Sequence, residues 1–183
     1  YNEPHAGVIY TKERSGKPGQ RGFPLAADKG ELNLRYNSHA TDEILEGPES
    51  GEADDSVMAY NYRLILTRNP SNRVMVAKPA NYNDTVAREA SGGGFVPRLP
   101  NEKVAWNGGR VIGLQNKYPA AAWPERERIS SQSLDAMLMA LWHLQNDPSV
   151  PEDRRKLFAN YGLAADEFPD NGNLPYEIYV REA

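Results

Sequence analysis

The alternation of hydrophobic and polar residues predicts strands in the first half of the chain. In residues 57–67 every second side chain is a large hydrophobic one, and these are Met58, Tyr60, Tyr62, Leu64 and Leu66. Residues 31–37 alternate in the same way, with Leu32, Leu34 and Tyr36 on one face. Because successive side chains of a strand point to opposite faces, each pattern predicts a strand with one face in the core.

Shorter hydrophobic runs and turn residues indicate further strands. Residues 5–13 are predicted to form a short strand, and residues 74–79 another. The turn-forming segment NPSNR precedes 74–79 and favours a hairpin-like pair with 57–67. Residues 95–118 are rich in Pro, Gly and Asn and are predicted to be mostly loop, whereas 176–183 are predicted to be a strand.

Helical patterns occur mainly in the second half of the chain. Residues 130–146 and the preceding Ile129 carry one hydrophobic stripe at three- and four-residue spacing. The stripe consists of Ile129, Leu134, Met137, Leu138, Leu141 and Leu144. A short capped helix is predicted in 81–90, and another from Pro151 with Gly162 as its C-terminal stop. The predicted fold class is α+β, with an antiparallel or mixed sheet in the N-terminal half and helices mainly in the C-terminal half.

Composition excludes several classes of function. The chain has 183 residues, a net charge of −4 and no cysteine, which argues against a general nucleic-acid binder and excludes disulfides and thiolate metal sites. No apolar run reaches the roughly 18 residues of a membrane span. The chain begins at Tyr1 rather than Met, and we interpret residues 1–183 as a single domain that is an internal fragment of a longer polypeptide.

Common catalytic and metal motifs are weak in this sequence. The histidines His5, His39 and His143 show no HxH or HExxH spacing, so no metal site is predicted, and His143 is more typical of a core or surface histidine than of a ligand. The SGGG segment lacks a following Lys-Ser/Thr, and Pro97 breaks the dinucleotide pattern. No G-x-S-x-G element occurs.

One polar pair stands out on the 57–67 strand. Asn61 and Arg63 share the face opposite the predicted core face and lie between Val57 and Ile65. Apolar neighbours on both sides favour a half-enclosed surface, such as a pocket wall or a domain interface, where Arg63 could bind a carboxylate. The alternative is an internal salt bridge to an acid from a nearby loop.

Several segments resemble, in the same order, a bacterial family of FAD-dependent oxidoreductases that includes xanthan lyase-like and secreted FAD proteins. The segments are YNEPHAGVIY, DDSVMAYNYRLILTRNPSNRV with the following KP and NY, WNGG at 106–109, YPAAAWPERERI, and the stretch from LWHLQNDP to DNG, LP and YVREA. The resemblance also covers Asn72-Arg73 and Asp170-Asn171-Gly172.

The resemblance implies that this chain is the substrate-side domain of a flavoenzyme, forming a wall over flavin and substrate. FAD would belong to the full-length parent, and this fragment alone would hold none and be inactive, because the glycine-rich FAD-binding segment is missing from it. The expected partners are the FAD-binding remainder of the same polypeptide and a small-molecule or saccharide substrate, with a secreted or periplasmic parent as one option. The substrate- or flavin-facing residues would be Asn61, Arg63, Trp106, Asn107, Asn171 and Arg181.

Two other functions are compatible with the sequence. The chain could be a noncatalytic glycan-binding or interaction module of an extracellular polysaccharide-processing protein, with exposed aromatic residues of its loops as sugar platforms. Those residues would be Trp106, Tyr118 and Trp123. It could also be a purely structural spacer domain.

Overall fold

The computed structural model describes residues 60–180 except 110, 112–113 and 116, and for residues 97 and 98 it describes the backbone alone. Further upstream it describes the backbone of two short strands. The strands are β1 (Arg35–Asn37), β2 (Ile44–Glu46), β3 (Leu64–Thr67), β4 (Arg73–Val74), β5 (Gly94–Leu99), β6 (Lys103–Asn107) and β7 (Gly162–Ala164). The helices are α1 (Asp84–Ala90), α2 (Trp123–Asn146) and α3 (Glu152–Ala159), followed by a short 3-10 helix at Pro169–Asn171.

The described strands form two antiparallel sheets. β1 and β2 pair with each other, and the other strands form a five-stranded sheet in the order β4-β7-β3-β6-β5. Every neighbouring pair in the larger sheet is antiparallel. The antiparallel sheet packs with helices whose residues lie mostly in the C-terminal half, and the fold is α+β, as the sequence predicts.

One hydrophobic cluster joins the sheet to the helices. Its buried members come from the β3 segment, β6, β7, α1, α2, α3 and the segments that flank them: Tyr60, Tyr62, Leu64, Leu66, Ala90, Trp106, Ala136, Met137, Ala140, Leu141, Leu144, Val150, Phe158, Tyr161, Leu163 and Ile178. The predicted core face of β3 and the predicted stripe of α2 are therefore confirmed over the described residues. Burial of each large side chain in such a cluster contributes roughly 1.5–3 kcal/mol.

Local sequence signals explain the bounds of the helices. Asn83 caps α1, because its side-chain oxygen accepts from the backbone N–H of Val86 at 3.1 Å. α2 begins seven residues before the predicted Ser130, with Pro124 and Glu125 in its first turn, where a missing N–H and a negative charge are both favourable. It ends at Asn146, since Pro148 disfavours helical geometry at the residue before it.

The strand pairing differs from the predicted hairpin. β3 and β4 do not pair with each other in the described sheet, because β7 lies between them and pairs with both. β7 itself includes Gly162, which was predicted to be a helix stop. A Cβ at Gly162 would lie 2.5 Å from Arg73 Cγ and 2.6 Å from the Val74 carbonyl oxygen, so glycine permits the close approach of β4.

Two further expectations are corrected. Residues 95–118 are not mostly loop, because β5 and β6 form a hairpin there, and its turn uses left-handed backbone at Asn101 and Glu102. Residues 176–180 form no strand beyond a single bridge between Tyr179 and Asn61. The predicted strand at 5–13 lies outside the described residues, and of the predicted strand at 31–37 the structure describes β1.

Candidate functional site around Asn61 and Arg63

Asn61 is fully buried just before β3. Its amide nitrogen donates to Asn107 Oδ1 at 2.9 Å and to the Gly108 carbonyl oxygen at 2.8 Å. Its backbone carbonyl accepts from the Tyr179 N–H at 2.8 Å. Asn61 therefore ties the β3 segment to the end of β6 and to residue 179 through its amide nitrogen and its backbone carbonyl, whereas no described residue donates a hydrogen bond to its buried Oδ1.

The segment that Asn61 holds is tightly packed. A Cβ at Gly108 would lie 2.3 Å from the ring of Trp106, and one at Gly109 would lie 1.8 Å from Met137 Cγ. Gly109 also has a left-handed φ of +72°, which non-glycine residues adopt at a cost. The WNGG motif thus has a packing role, since its glycines let the chain turn directly against the core.

Arg63 differs from Asn61, because it is only half-buried. Its guanidinium carbon lies 4.7 Å from the centroid of the Tyr179 ring, in a cation–π contact. Among the described residues, no carboxylate forms a salt bridge with Arg63, and no hydrogen-bond acceptor contacts its buried Nε. The internal salt bridge that was the alternative explanation for this residue is therefore not formed within the described part of the chain.

Trp106 is not an exposed loop residue. It lies in β6, and its side chain is completely buried, with its ring edge-on to Phe158 at a centroid distance of 5.8 Å. A buried indole cannot serve as a sugar platform or face a substrate across an open surface, so both expectations for Trp106 are corrected. Asn107 is half-buried beside it and accepts the bond from Asn61.

The other two proposed sugar platforms lie near each other. Tyr118 packs edge-on against Tyr60, and the guanidinium of Arg126 lies 5.4 Å from its ring centroid. The same guanidinium lies 5.3 Å from the ring of Trp123, whose side chain is 72% exposed. Of the three aromatic residues, only Trp123 presents most of its surface to solvent.

The remaining motif residues stabilise loops. Asn72 exchanges two hydrogen bonds with Asp166, at 2.7 and 3.1 Å, and Arg73 donates to the Asn160 carbonyl oxygen at 2.6 Å. Asn171 is exposed, and its amide donates to the Leu174 carbonyl oxygen at 2.9 Å. Arg181 lies outside the described residues.

A buried lysine strengthens the Asn72–Asp166 contact. Lys103 is 7% exposed, and its Nζ lies 2.7 Å from Asp166 Oδ2 and 2.6 Å from Glu167 Oε1. Burial opposes the charged amine, but the hydrogen bonds to both carboxylates outweigh it and raise the pKa of Lys103. The hydrogen bond from Lys103, followed by that from Asn72, lowers the pKa of Asp166.

An open polar cavity of about 520 Å³ lies at the other end of β3 from Asn61. It is lined by Arg68, Asn69, Pro70, Glu102 and Asn160. These residues belong to the turns after β3, between β5 and β6, and after α3. The cavity contains none of the residues that the sequence singled out for ligand binding.

Comparisons of the chain with protein-family models, with curated proteins and with solved structures found no match. The relation to FAD-dependent oxidoreductases therefore stays a prediction from sequence motifs. Among the helices that the structure describes, none is both long and apolar enough to cross a membrane.

Proposed function

We propose that the chain is the substrate-side domain of an FAD-dependent oxidoreductase, in which Arg63 faces an anionic group of the flavin or substrate. The observation that carries this proposal is the state of the Arg63 side chain. Its guanidinium is oriented by Tyr179, yet it has no carboxylate partner within the described residues. A half-buried guanidinium that no described carboxylate neutralises is suited to bind a carboxylate, a phosphate or an anionic ring.

The surroundings of Arg63 limit its freedom to move. The Tyr179 N–H donates to the Asn61 carbonyl oxygen at 2.8 Å, and this bond holds the backbone of Tyr179 beside the β3 segment. The guanidinium of Arg63 lies over the ring of Tyr179. Less side-chain entropy is then lost when an anion binds. Asn61 serves this arrangement as a positioning residue, because it fixes the backbone on which Tyr179 rests.

Arg63 would act on the flavin electrostatically. The flavin supplies the redox chemistry when it is bound, and a positive charge beside the ring stabilises its reduced, anionic form. The same charge could orient an acidic substrate. Neither role requires Arg63 to exchange a proton.

The decisive experiment uses the full polypeptide that carries this chain, purified and tested for bound FAD by its absorbance. We expect Arg63→Ala to shift the flavin reduction potential to a more negative value, because a charge that stabilises the reduced ring is lost. Arg63→Lys should retain part of the effect. Arg68→Ala is a matched control, since Arg68 also lies over a tyrosine ring, that of Tyr161 at 5.6 Å.

Two results would overturn the proposal. A full polypeptide that neither contains nor binds FAD would eliminate the flavoenzyme assignment. A flavin-loaded Arg63→Ala variant with an unchanged potential and unchanged turnover, but a lower melting temperature, would show that Arg63 is structural.

The glycan-binding alternative has weaker support, because Trp106 is buried and only Trp123 is widely exposed among its three aromatic residues. Sugar binding usually needs an accessible aromatic face with polar groups beside it. Trp123 has one such neighbour, Arg126. Loss of glycan retention in Trp123→Ala, with no effect in Arg63→Ala, would favour this alternative.

A further inference from the structure

Three side chains that could ligate a metal ion meet where α1 begins and α2 ends. Asp84 is the first residue of α1, His143 lies in the last turn of α2, and Asp147 caps that helix. One ligand atom from each lies within 4.8 Å of the others. His143 Nδ1 lies 3.4 Å from Asp147 Oδ2 and 4.0 Å from Asp84 Oδ1.

Each carboxylate directs one oxygen at the histidine and uses the other elsewhere. Asp84 Oδ2 accepts from Arg88 Nε at 2.8 Å, and Asp147 Oδ1 accepts from the Ser149 N–H at 2.8 Å. The oxygens Asp84 Oδ1 and Asp147 Oδ2 are the ones that face His143 Nδ1. Such outer hydrogen bonds orient carboxylate ligands in metal sites and are typical of them.

The imidazole is aimed into this cluster from a buried position. The side chain of His143 is 5% exposed, and its Nδ1 also lies 3.2 Å from the Tyr82 hydroxyl oxygen. That hydroxyl lies 3.5 Å from Asp84 Oδ1. Nδ1 is therefore surrounded by three oxygen atoms in the described structure, and a nitrogen lone pair could bind a cation among them.

We propose that His143 Nδ1, Asp84 Oδ1 and Asp147 Oδ2 bind one divalent transition-metal ion, with Zn²⁺ as the best fit. Ligand atoms about 2.0–2.1 Å from a tetrahedral Zn²⁺ are about 3.3 Å apart. Between the proposed ligand atoms, His143 Nδ1 lies 3.4 Å from Asp147 Oδ2 and 4.0 Å from Asp84 Oδ1, and both separations are close enough for one ion to bridge after a small adjustment of the side chains.

The donor set selects against other common ions. Ca²⁺ takes six to eight oxygen ligands, and Mg²⁺ is held by oxygen in octahedral geometry, whereas imidazole nitrogen suits zinc and its transition-metal neighbours. Two carboxylates also supply two negative charges, of which Arg88 offsets one. The C-terminal end of α2 adds the negative end of its helix dipole, which favours a cation.

The sequence gives no indication of this site, because 59 positions separate Asp84 from His143 and the spacing of His143 and Asp147 alone is not diagnostic. The site would connect α1 to the end of α2. It contains none of the residues assigned to the flavin- or substrate-facing surface, so it stands or falls independently of the proposed function.

The test is a titration of chelator-treated protein with ZnCl₂, followed by calorimetry and by thermal unfolding. We expect one Zn²⁺ per chain and a rise in melting temperature on binding, because the ion binds the folded state. Asp84→Asn and Asp147→Asn should each weaken binding at least about tenfold. Both substitutions preserve size, and asparagine at 147 can still accept from the Ser149 N–H.

Asp135→Asn is the matched control, because Asp135 lies on α2 and its carboxylate is bonded to Asn81 instead. It removes the same charge and should leave the affinity for Zn²⁺ unchanged. The proposal is overturned if the wild-type protein binds no Zn²⁺, or if Asp84→Asn and Asp147→Asn bind it as tightly as Asp135→Asn does.

Discussion

The side-chain amide of Asn61 donates to the side-chain oxygen of Asn107 at 2.9 Å, and this bond joins two segments that are 46 residues apart in the chain. The same amide nitrogen also satisfies the buried Gly108 carbonyl oxygen at 2.8 Å. Two backbone segments are thus fixed by one buried side chain. The alternation of residues along the strand suggested that Asn61 contacts a ligand, whereas its amide nitrogen connects two segments of the fold.

Replacing Asn61 with Ala should lower the free energy of unfolding by about 1–3 kcal/mol, because the buried Gly108 carbonyl loses its donor. Chemical denaturation followed by circular dichroism measures this change. Asn171→Ala is the control, since Asn171 is exposed, and its cost should stay within about 0.5 kcal/mol. Equal stabilities of the two variants would contradict the structural role of Asn61.

Gly109→Ala and Gly172→Ala separate backbone strain from steric clash. Both glycines have left-handed φ, +72° and +64°, so each substitution should cost about 1–2 kcal/mol from conformation alone. Of the two, only Gly109 would place its new Cβ in a clash, with Met137 Cγ 1.8 Å away, whereas a Cβ at Gly172 would meet no described atom within 4 Å. We expect Gly109→Ala to cost about 1–3 kcal/mol more than Gly172→Ala.

Urea denaturation midpoints of these two glycine variants measure the difference in stability, provided that the m-value is the same for both. The double variant Gly109→Ala with Met137→Ala should lose less stability than the sum of the two single variants, because removal of the methionine side chain relieves the clash. Strict additivity of the two changes would mean that the segment at 106–109 does not pack on α2 as described.

The tryptophans should separate into core and surface classes. Trp106→Ala should cost about 3–5 kcal/mol, because a completely buried indole is removed. Trp123→Ala should cost about 1 kcal/mol or less, since the side chain is 72% exposed and its contact with Arg126 is a surface one. Unfolding by urea gives both values.

Fluorescence quenching by acrylamide provides an independent check of Trp106 and Trp123. Quenching in the folded protein should fall when Trp123 is replaced by Phe, because its indole is the accessible one. Replacement of Trp106 by Phe should leave the quenched fraction unchanged or higher. The reverse result would place Trp106 on the surface and revive its role as a sugar platform.

Stability should depend on pH through the Asp166–Lys103 pair. The hydrogen bond from Lys103 lowers the folded-state pKa of Asp166 below its ordinary value of 3.8, so its contribution is present above that value. The contribution is lost as the pH falls through the lowered pKa. The stability difference between wild type and Asp166→Asn should therefore narrow as the pH falls below about 4.

Urea denaturation between about pH 3 and pH 7 tests the Asp166 prediction. Glu127→Gln is a control, because it removes a charge from an exposed position of α2. The difference in unfolding free energy between Glu127→Gln and wild type should change less over the same pH range than the difference for Asp166→Asn. A constant difference between wild type and Asp166→Asn at every pH would contradict the pairing with Lys103.

The sequence predicted best those elements whose signals are local. The short capped helix in 81–90 and the hydrophobic stripe of α2 follow from neighbouring residues, and both are confirmed, with Asn83 as the cap of α1. The early part of α2 was missed, because residues 125–128 are all charged and add nothing to the apolar stripe. Pro124 in the first turn was the signal that marked the true start.

The sequence predicted least well what depends on distant pairing. β7 has three residues and begins with Gly162, so neither length nor composition marks it as a strand, and its partners lie about 90 positions upstream. The β5–β6 hairpin was hidden by its flanking glycines and by Pro97. For the candidate site, alternation placed Asn61 and Arg63 on one face, but it could not show that the Asn61 amide nitrogen donates to Asn107 and Gly108.

The position of β7 between β3 and β4 has a consequence for synthesis of the chain. The last strand of the five-stranded sheet to leave the ribosome is an interior one, and until it arrives the facing edges of β3 and β4 stay unpaired. Non-local pairing of this kind slows folding, and open strand edges favour association with other chains. A nascent chain that ends before residue 162 therefore exposes strand edges of β3 and β4 that β7 covers in the folded sheet.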